Sequence, residues 1–577
     1  MPSSIRSSAL GQIGGGFVIT TLIALSATHG FGANYYVATN GSDANSGAGT
    51  NVPWRTVQKA ANTLTPNDTV LVRGGVYNER VTVNVSGSTA GGRVVFQNYP
   101  GELPILDGTG LTVPSTDNGL FLLTDRSFVT IQGFELRNYA VSSSSKVPAG
   151  IFINGACHDI SILTNHIHHI ANTNKNGAFG LAVYGSSAAQ AITNLLIRGN
   201  ELDHLQTGWS ESLVLNGNVS GFEVSANLVH DNNNIGIDFI GYEGTCPDAN
   251  LDRARHGVCR DNRVWNITSF GNPAYGSEYS ADGIYCDGST DIVIERNQVW
   301  AVDIGVELAS EHAGRATSDI IVRDNLISSN RTGGIFIGGY DTARGRTENC
   351  RITHNTLFRN DTRLNGNGEF YIQFDTRSNL FTHNLLVANS QNLLVGNPFT
   401  QNSNNVVNWN LYFAPGGAAG SEWQWKNVSY AGFSSYKSAT GNDSNSIFAD
   451  PRLLDATSMN FHLATNSPAI NSGDPAFSPA PGETDVDGQP RSSGGRVDIG
   501  ADEFGGIIST LGIELLAANQ LQVQMTGEPG HRFVWEQALT PSGNWQPVLT
   551  NWATNGEAEI SPAIAANPAF FRTRMAE

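Results

Sequence analysis

From Gly119 onward, apolar and polar residues alternate in short runs that restart at intervals, most often on glycine. The phrases Gly236-Ile-Asp-Phe-Ile-Gly241, Gly283-Ile-Tyr-Cys-Asp-Gly288, Gly305-Val-Glu-Leu-Ala-Ser310 and Gly334-Ile-Phe-Ile-Gly-Gly339 share one form. Their second and fourth positions are apolar, and carboxylates fall on the third or fifth. Alternate residues of a strand face opposite sides, so the apolar pairs face a core while Asp238, Asp287 and Glu307 face outward together. Phrases of this type begin at Gly119, Gly150, Gly180, Ser212, Gly236, Gly283, Gly305, Gly334, Glu369 and Asn392. Successive starts lie 31, 30, 32, 24, 47, 22, 29, 35 and 23 residues apart, the lengths of solenoid coils with loops of varied size. An independent series, Asn165, Asn200, Asn227, Asn262, Asn297, Asn325, Asn355, Asn384 and Asn410, follows short apolar strands once per coil. It predicts an internal ladder of side-chain amides that satisfies buried backbone.

The flanks have other textures. Tyr35 to Tyr77 reads as strand, short amphipathic helix and strand, with Thr56 as N-cap. Beyond Gly506, short alternating runs such as Leu521–Met525 and Arg532–Glu536 predict a small β-sandwich holding Trp535 and Trp545. The expected division is a signal peptide at 1–32, an N-terminal cap with the first coils at 33–118, a parallel β-helix at 119–505 and the sandwich at 506–577. The export segment is predicted by Arg6, an apolar run from Phe17 to Ala27 and small residues at Gly30 and Gly32. That run is too short to span a bilayer, so a periplasmic, outer-surface or extracellular protein without a membrane span is expected.

The chain of 577 residues carries a net charge of −18 with only five lysines, which argues against nucleic acid as a partner. Among its five cysteines, Cys246 and Cys259 share one insertion and are the candidate disulfide, while Cys286 takes an inward apolar position. No Cys/His cluster shows zinc-ligand spacing in the sequence.

Placed in register, Asp238, Tyr285, Glu307 and Phe336 share the third column, and Ile240, Asp287, Ala309 and Gly338 the fifth. Other coils are expected to put Phe121, Phe152, Ala182, Val214 and Leu394 in the third column, so acids occur only in the middle. Coils about 4.8 Å apart place Asp287 about 8 Å, and Asp238 about 10 Å, from Glu307 at Cα. Such carboxyls can converge on a glycosidic bond. Insertions at 242–259 and 272–279 supply walls, and Tyr242, Glu243, Arg255, Tyr285, His312, Tyr340 and Arg344 are the candidate sugar-binding residues.

The strand, helix and strand of residues 35–77 resemble the N-terminal region of exported right-handed parallel β-helix proteins, the pectin-lyase-like group, in which the helix plugs the open end of the solenoid. Gly283-Ile-Tyr-Cys-Asp287 followed by Gly305-Val-Glu307-Leu-Ala-Ser-Glu311-His312 resembles β-helical glycoside hydrolases of the β-xylosidase kind. That resemblance implies polysaccharide or oligosaccharide as substrate, Asp287 as nucleophile, Glu307 as acid/base and no cofactor. The aromatic residues flanking the aspartate in that family are Cys286 and Gly288 here. Ala281-Asp282-Gly283 with Asp303-Ile-Gly305-Val-Glu307 resembles the calcium-binding aspartates of β-helical pectate lyases, implying Ca2+ on Asp282, Asp303 and Glu307. A lyase needs a base, and Phe336 stands where its lysine would be, leaving Arg344 or Arg346. Asp485 and Asp487 suit either a calcium site or a tight turn. A β-helix that binds glycan without catalysis is the third reading.

Overall fold

A computed structural model describes residues 32–505 except 117, 493 and 494, together with the backbone of six strands beyond. Residues 1–31 of the expected export segment, and Trp545, lie outside the described residues. Three long sheets run along the chain, and their strands pair in parallel with the coils before and after, which makes a parallel β-helix. At the N-terminal end the helix α1 (Val57–Ala61) buries Val57, Ala60 and Ala61 over the first coil. Thr56 caps it, accepting from Lys59 N, and Glu79 accepts from Val57 and Gln58 N at 2.9 and 3.1 Å. Beyond residue 505, the strands Thr510–Ala517, Gln520–Thr526 and Glu557–Ile560 form one antiparallel sheet; Arg532–Ala538, Gln546–Trp552 and Phe570–Met575 form another.

The asparagine ladder runs through all nine expected positions. Each backbone N–H and amide of one asparagine donates to the Oδ1 of the next, as Asn262 does to Asn297 at 3.0 and 2.9 Å. The residue before each of the nine has positive φ: Thr164, Gly199, Ala226, Asp261, Arg296, Asp324, His354, His383 and Trp409. One left-handed residue turns the chain sharply and delivers the asparagine inward. Only one of these is glycine, so the ladder must offset roughly 1–2 kcal/mol of backbone strain at each of the others.

The repeat glycine has an equally local cause. A Cβ at Gly283 would sit 2.4 Å from Val299, at Gly236 2.9 Å from Val264, and at Gly305 2.5 Å from Ile327. Each glycine therefore marks a corner where the backbone presses on the core side chain of the neighbouring sheet. Because the glycine points inward and so does the next residue, alternation slips by one there. The residue before the glycine faces outward.

Two register expectations fail at the ends of this sheet. Ile151 pairs with Phe121 and Phe152 with Leu122, so Leu122 occupies the third column and Phe121 lies in the core. Tyr371 pairs with Gly396, not Leu394, in a strand whose pairing with the next coil is itself irregular between Leu393 and Val395. The expected disulfide is absent: all five cysteines are free and buried. Cys259 points into the core, whereas Cys246 turns toward Ser187 O in the insertion.

Candidate functional site

The site lies on strands β1 (Leu213–Gly217), β2 (Ile237–Ile240), β3 (Asp282–Asp287), β4 (Ile304–Ala309) and β5 (Gly333–Ile337) of one 13-stranded sheet. The third column has the expected register: Asp238 pairs with Tyr285, Tyr285 with Glu307, and Glu307 with Phe336; in the fifth, Asp287 pairs with Ala309, while Ile240 bridges to Gly288 where the insertion leaves the strand. Ile237, Phe239, Ile284, Cys286, Val306 and Leu308 fill the core beneath. The corner at Gly283 adds a fourth outward acid, Asp282, paired with Ile304. Its carboxyl is hydrogen-bonded to that of Glu307.

Loops close over this face, leaving Asp238 2 %, Asp287 5 % and Glu307 7 % exposed. The 242–254 insertion folds back on itself through Tyr242 N to Asp252 O (2.7 Å) and Ala254 N to Ile240 O (3.1 Å). The Asp252 carboxylate fastens it by accepting from Gly244 and Cys246 N at 2.7 and 2.8 Å. Between this loop and the 312–315 turn lies a cavity of about 510 Å³ lined by Tyr242, Pro247, His312 and Arg315. The opposite wall carries Tyr275, whose ring meets the half-exposed Trp209 edge-on at 5.0 Å.

Burial and mutual repulsion govern the electrostatics. Desolvation followed by the nearby carboxylates pushes Asp238, Asp282 and Asp287 well above the usual carboxylate range. Glu211, buried at the start of the preceding coil, is raised to about 8, chiefly by burial. Burial also raises Glu307 to about 7, with the hydrogen bonds from Asp282 and Gln373 opposing it. Gln373 Nε2 donates to Glu307 Oε1 at 3.3 Å. Asp287 Oδ1 accepts from Glu311 N at 2.8 Å. The result is a floor of carboxyls that share protons and titrate as a set. On its rim, Glu243 meets His312 Nε2 at 3.0 Å, and Asp287, Glu243 and His312 each bring a ligand atom within 4.8 Å of the others.

Other expected site residues have different roles. Asp303 is buried and its Oδ2 accepts from Ser269 N (2.9 Å) and Ala281 N (3.1 Å), so it anchors the base of the 269–281 loop and is not placed to share a calcium with Asp282. Arg255 spends its donors on Leu251 O, Arg253 O and Asn218 Oδ1 at 3.0, 3.0 and 2.7 Å, bracing the insertion. Tyr285 is buried against Ile235 and Ala309. Tyr340 is half-exposed on the rim with the Arg344 guanidinium 4.4 Å over its ring. Arg346 is occupied by Glu348 at 2.7 Å and cannot serve as a base in the groove. Asp485 caps a tight turn, accepting from Asp487, Gln489 and Glu503 N at 3.0, 2.7 and 3.2 Å.

Residues 35–198 match the family model described as Pel9A-like, right handed beta helix region, which gives the solenoid its hand. The chain is 42 % identical over 441 residues to uncharacterized protein YwoF of Bacillus subtilis (strain 168), covering 76 % of this chain and 92 % of YwoF. The chain belongs to the YwoF family. This YwoF-family chain also shares 29 % identity over 171 residues with pectate lyase PEL9 of Emericella nidulans, 29 % of this chain and 40 % of that one. Among solved structures, the GH136 lacto-N-biosidase from Eubacterium ramulus is similar at a TM-score of 0.43 and 15 % identity, covering 66 % of this chain and 64 % of that one. No helix among the described residues is long and apolar enough to cross a membrane.

In this YwoF-family chain, raised carboxyls set a pH dependence of stability, Glu211 beside the groove and Glu369 in the interior, where it accepts from Asn360. Folded Glu211 and Glu369 titrate near 8 against an ordinary 4.5, so the folded protein holds protons that the unfolded chain releases. Their contribution is complete below pH about 4.5 and disappears as pH rises toward 8. The melting temperature is expected to fall by about 3–6 °C between pH 5.5 and 8. Glu211→Gln should flatten that slope in melts followed by circular dichroism, and parallel slopes for the two proteins would exclude Glu211 as a cause.

Proposed function

We propose that this protein is an exported carbohydrate-active enzyme that hydrolyses glycosidic bonds with the carboxyls of its β-helix face. The observation that carries this reading is the Asp282–Glu307 proton-sharing pair on the groove floor, with Asp287 in the next outward column. A carboxyl held near 7 can give a proton to a leaving glycosidic oxygen and take one back near neutrality. Asp282 keeps that proton within the site, and Asp287, or water activated by it, attacks the anomeric carbon from the other side. Trp209, Tyr275 and Tyr340 offer ring surfaces along the rim for sugars.

One observation favours a second reading, a cation-dependent lyase: the ligand atoms of Glu243, Asp287 and His312 converge on the rim. The relative PEL9 is named a pectate lyase, and calcium is the cation this reading calls for. Against it, no lysine occurs between Lys175 and Lys426 to act as base. Incubation with a panel of plant and algal polysaccharides, following reducing ends and ultraviolet absorbance together, separates the readings. New reducing ends without unsaturated product, unaffected by EDTA, support the hydrolase. Unsaturated, EDTA-sensitive product would establish the lyase, and binding without turnover would leave a glycan-binding module.

A further inference from the structure

On a different sheet from the groove, five of the thirteen histidines gather on one outward face. Strands Glu135–Val141, His166–Asn172, Glu201–Asp203 and Leu228–His230 stack in register, with Leu136, Ile167, Leu202 and Val229 inward. Their neighbours therefore point out in two columns, Glu135–His166–Glu201 and Arg137–His168–Asp203–His230. His166 and His168 are two apart on a strand, so both rings emerge on one side, beside Asp203 of the next coil.

We propose that His166, His168 and Asp203 form a binding site for one divalent transition-metal ion, Zn2+ by donor chemistry, that staples two successive coils. Their ligand atoms all lie within 4.8 Å of one another. The imidazole rings of His166 and His168 stack at 4.3 Å, and His166 Nε2 lies 2.7 Å from Asp203 Oδ2, an approach an ion would replace with two bonds. The arrangement is braced from behind: His204 Nδ1 holds the other Asp203 oxygen at 2.7 Å, and His169 Nδ1 lies 2.6 Å from His168 Nδ1. Such outer contacts fix ring orientation in metal sites. Two imidazoles and one carboxylate with an open position suit Zn2+, whereas Ca2+ takes six to eight oxygens.

The test is calorimetric titration of the EDTA-stripped, dialysed full chain with Zn2+ and, separately, Ca2+ at pH 7.5. Expected is one Zn2+ per chain here, undisturbed by Ca2+, weakened at least about 100-fold in His168→Ala and in Asp203→Asn. Co2+ in its place should give visible ligand-field absorption that His168→Ala abolishes. His168→Gln provides a second variant, and circular dichroism checks that each one folds. Asp287→Asn should keep this ion, since it alters only the groove trio. Absence of Zn2+ binding at 100-fold excess over protein, or one ion retained in the His166→Ala/His168→Ala protein and lost in Asp287→Asn, would overturn the assignment.

Discussion

Replacing Glu307 by glutamine is expected to lower kcat/KM on a hydrolysed glycan by about 10²–10⁴-fold, the range that a positioned general acid supplies. Glutamine fills the same volume and can keep the contacts with Gln373 and Asp282, so the melting temperature should change little. Asp282→Ala makes the sharper companion. It removes the hydrogen bond that holds Glu307 down, so Glu307 keeps its proton to higher pH. The alkaline limb of the pH–rate profile should therefore move to higher pH, with a smaller loss of rate at the new optimum. Steady-state kinetics from pH 4.5 to 8.5 decide the matter. Glu307→Gln activity above a tenth of the parent, or an unshifted limb in Asp282→Ala, would remove the pair from the chemistry.

How much of this site could be seen in the sequence depended on where strict alternation holds. Within strands it holds, so Asp238, Tyr285, Glu307 and Asp287 fall in the columns expected. It breaks at the corner glycine, where two successive residues point inward; Asp282 is thereby turned out beside Glu307, and Asp303 is drawn under the 269–281 loop. Glu211 escaped notice because it belongs to the turn before a phrase that opens on serine, although an acid directly before a repeat start is the signal that also marks Asp282. Gln373 and Glu311 enter the site from beyond strand ends, which no column contains. The fold was more legible, because an asparagine once per coil has a single physical use. The paired cysteines misled because closeness in sequence said nothing about which side of the sheet wall each thiol occupies.

That ladder supports the other large prediction. Asn297→Ala is expected to destabilise the protein by roughly 3–5 kcal/mol. Asn297 is fully buried, and its side chain makes four hydrogen bonds: Oδ1 accepts from Asn262 N and Nδ2, and Nδ2 donates to Cys259 O at 2.9 Å and Asn325 Oδ1 at 3.0 Å. Truncation strands the Asn262 N–H, one Asn262 amide donor and two acceptors at a depth water does not reach, and each unsatisfied group costs about 1–3 kcal/mol. It also removes the compensation for Arg296, held at φ 51° just before it. Asn297→Asp is the informative control: its carboxylate still accepts from Asn262 but has no hydrogen to give Asn325 unless it is protonated. Its stability should therefore approach the parent at low pH and drop as pH rises, whereas Asn297→Ala should stay low throughout. Because neighbouring coils β3 and β4 flank this rung, the loss should also appear as reduced protection of their amides in hydrogen exchange, ahead of the N-terminal coils. Uniform loss of protection along the chain, or a destabilisation below about 1 kcal/mol, would mean the ladder is not what holds the strained turns in place.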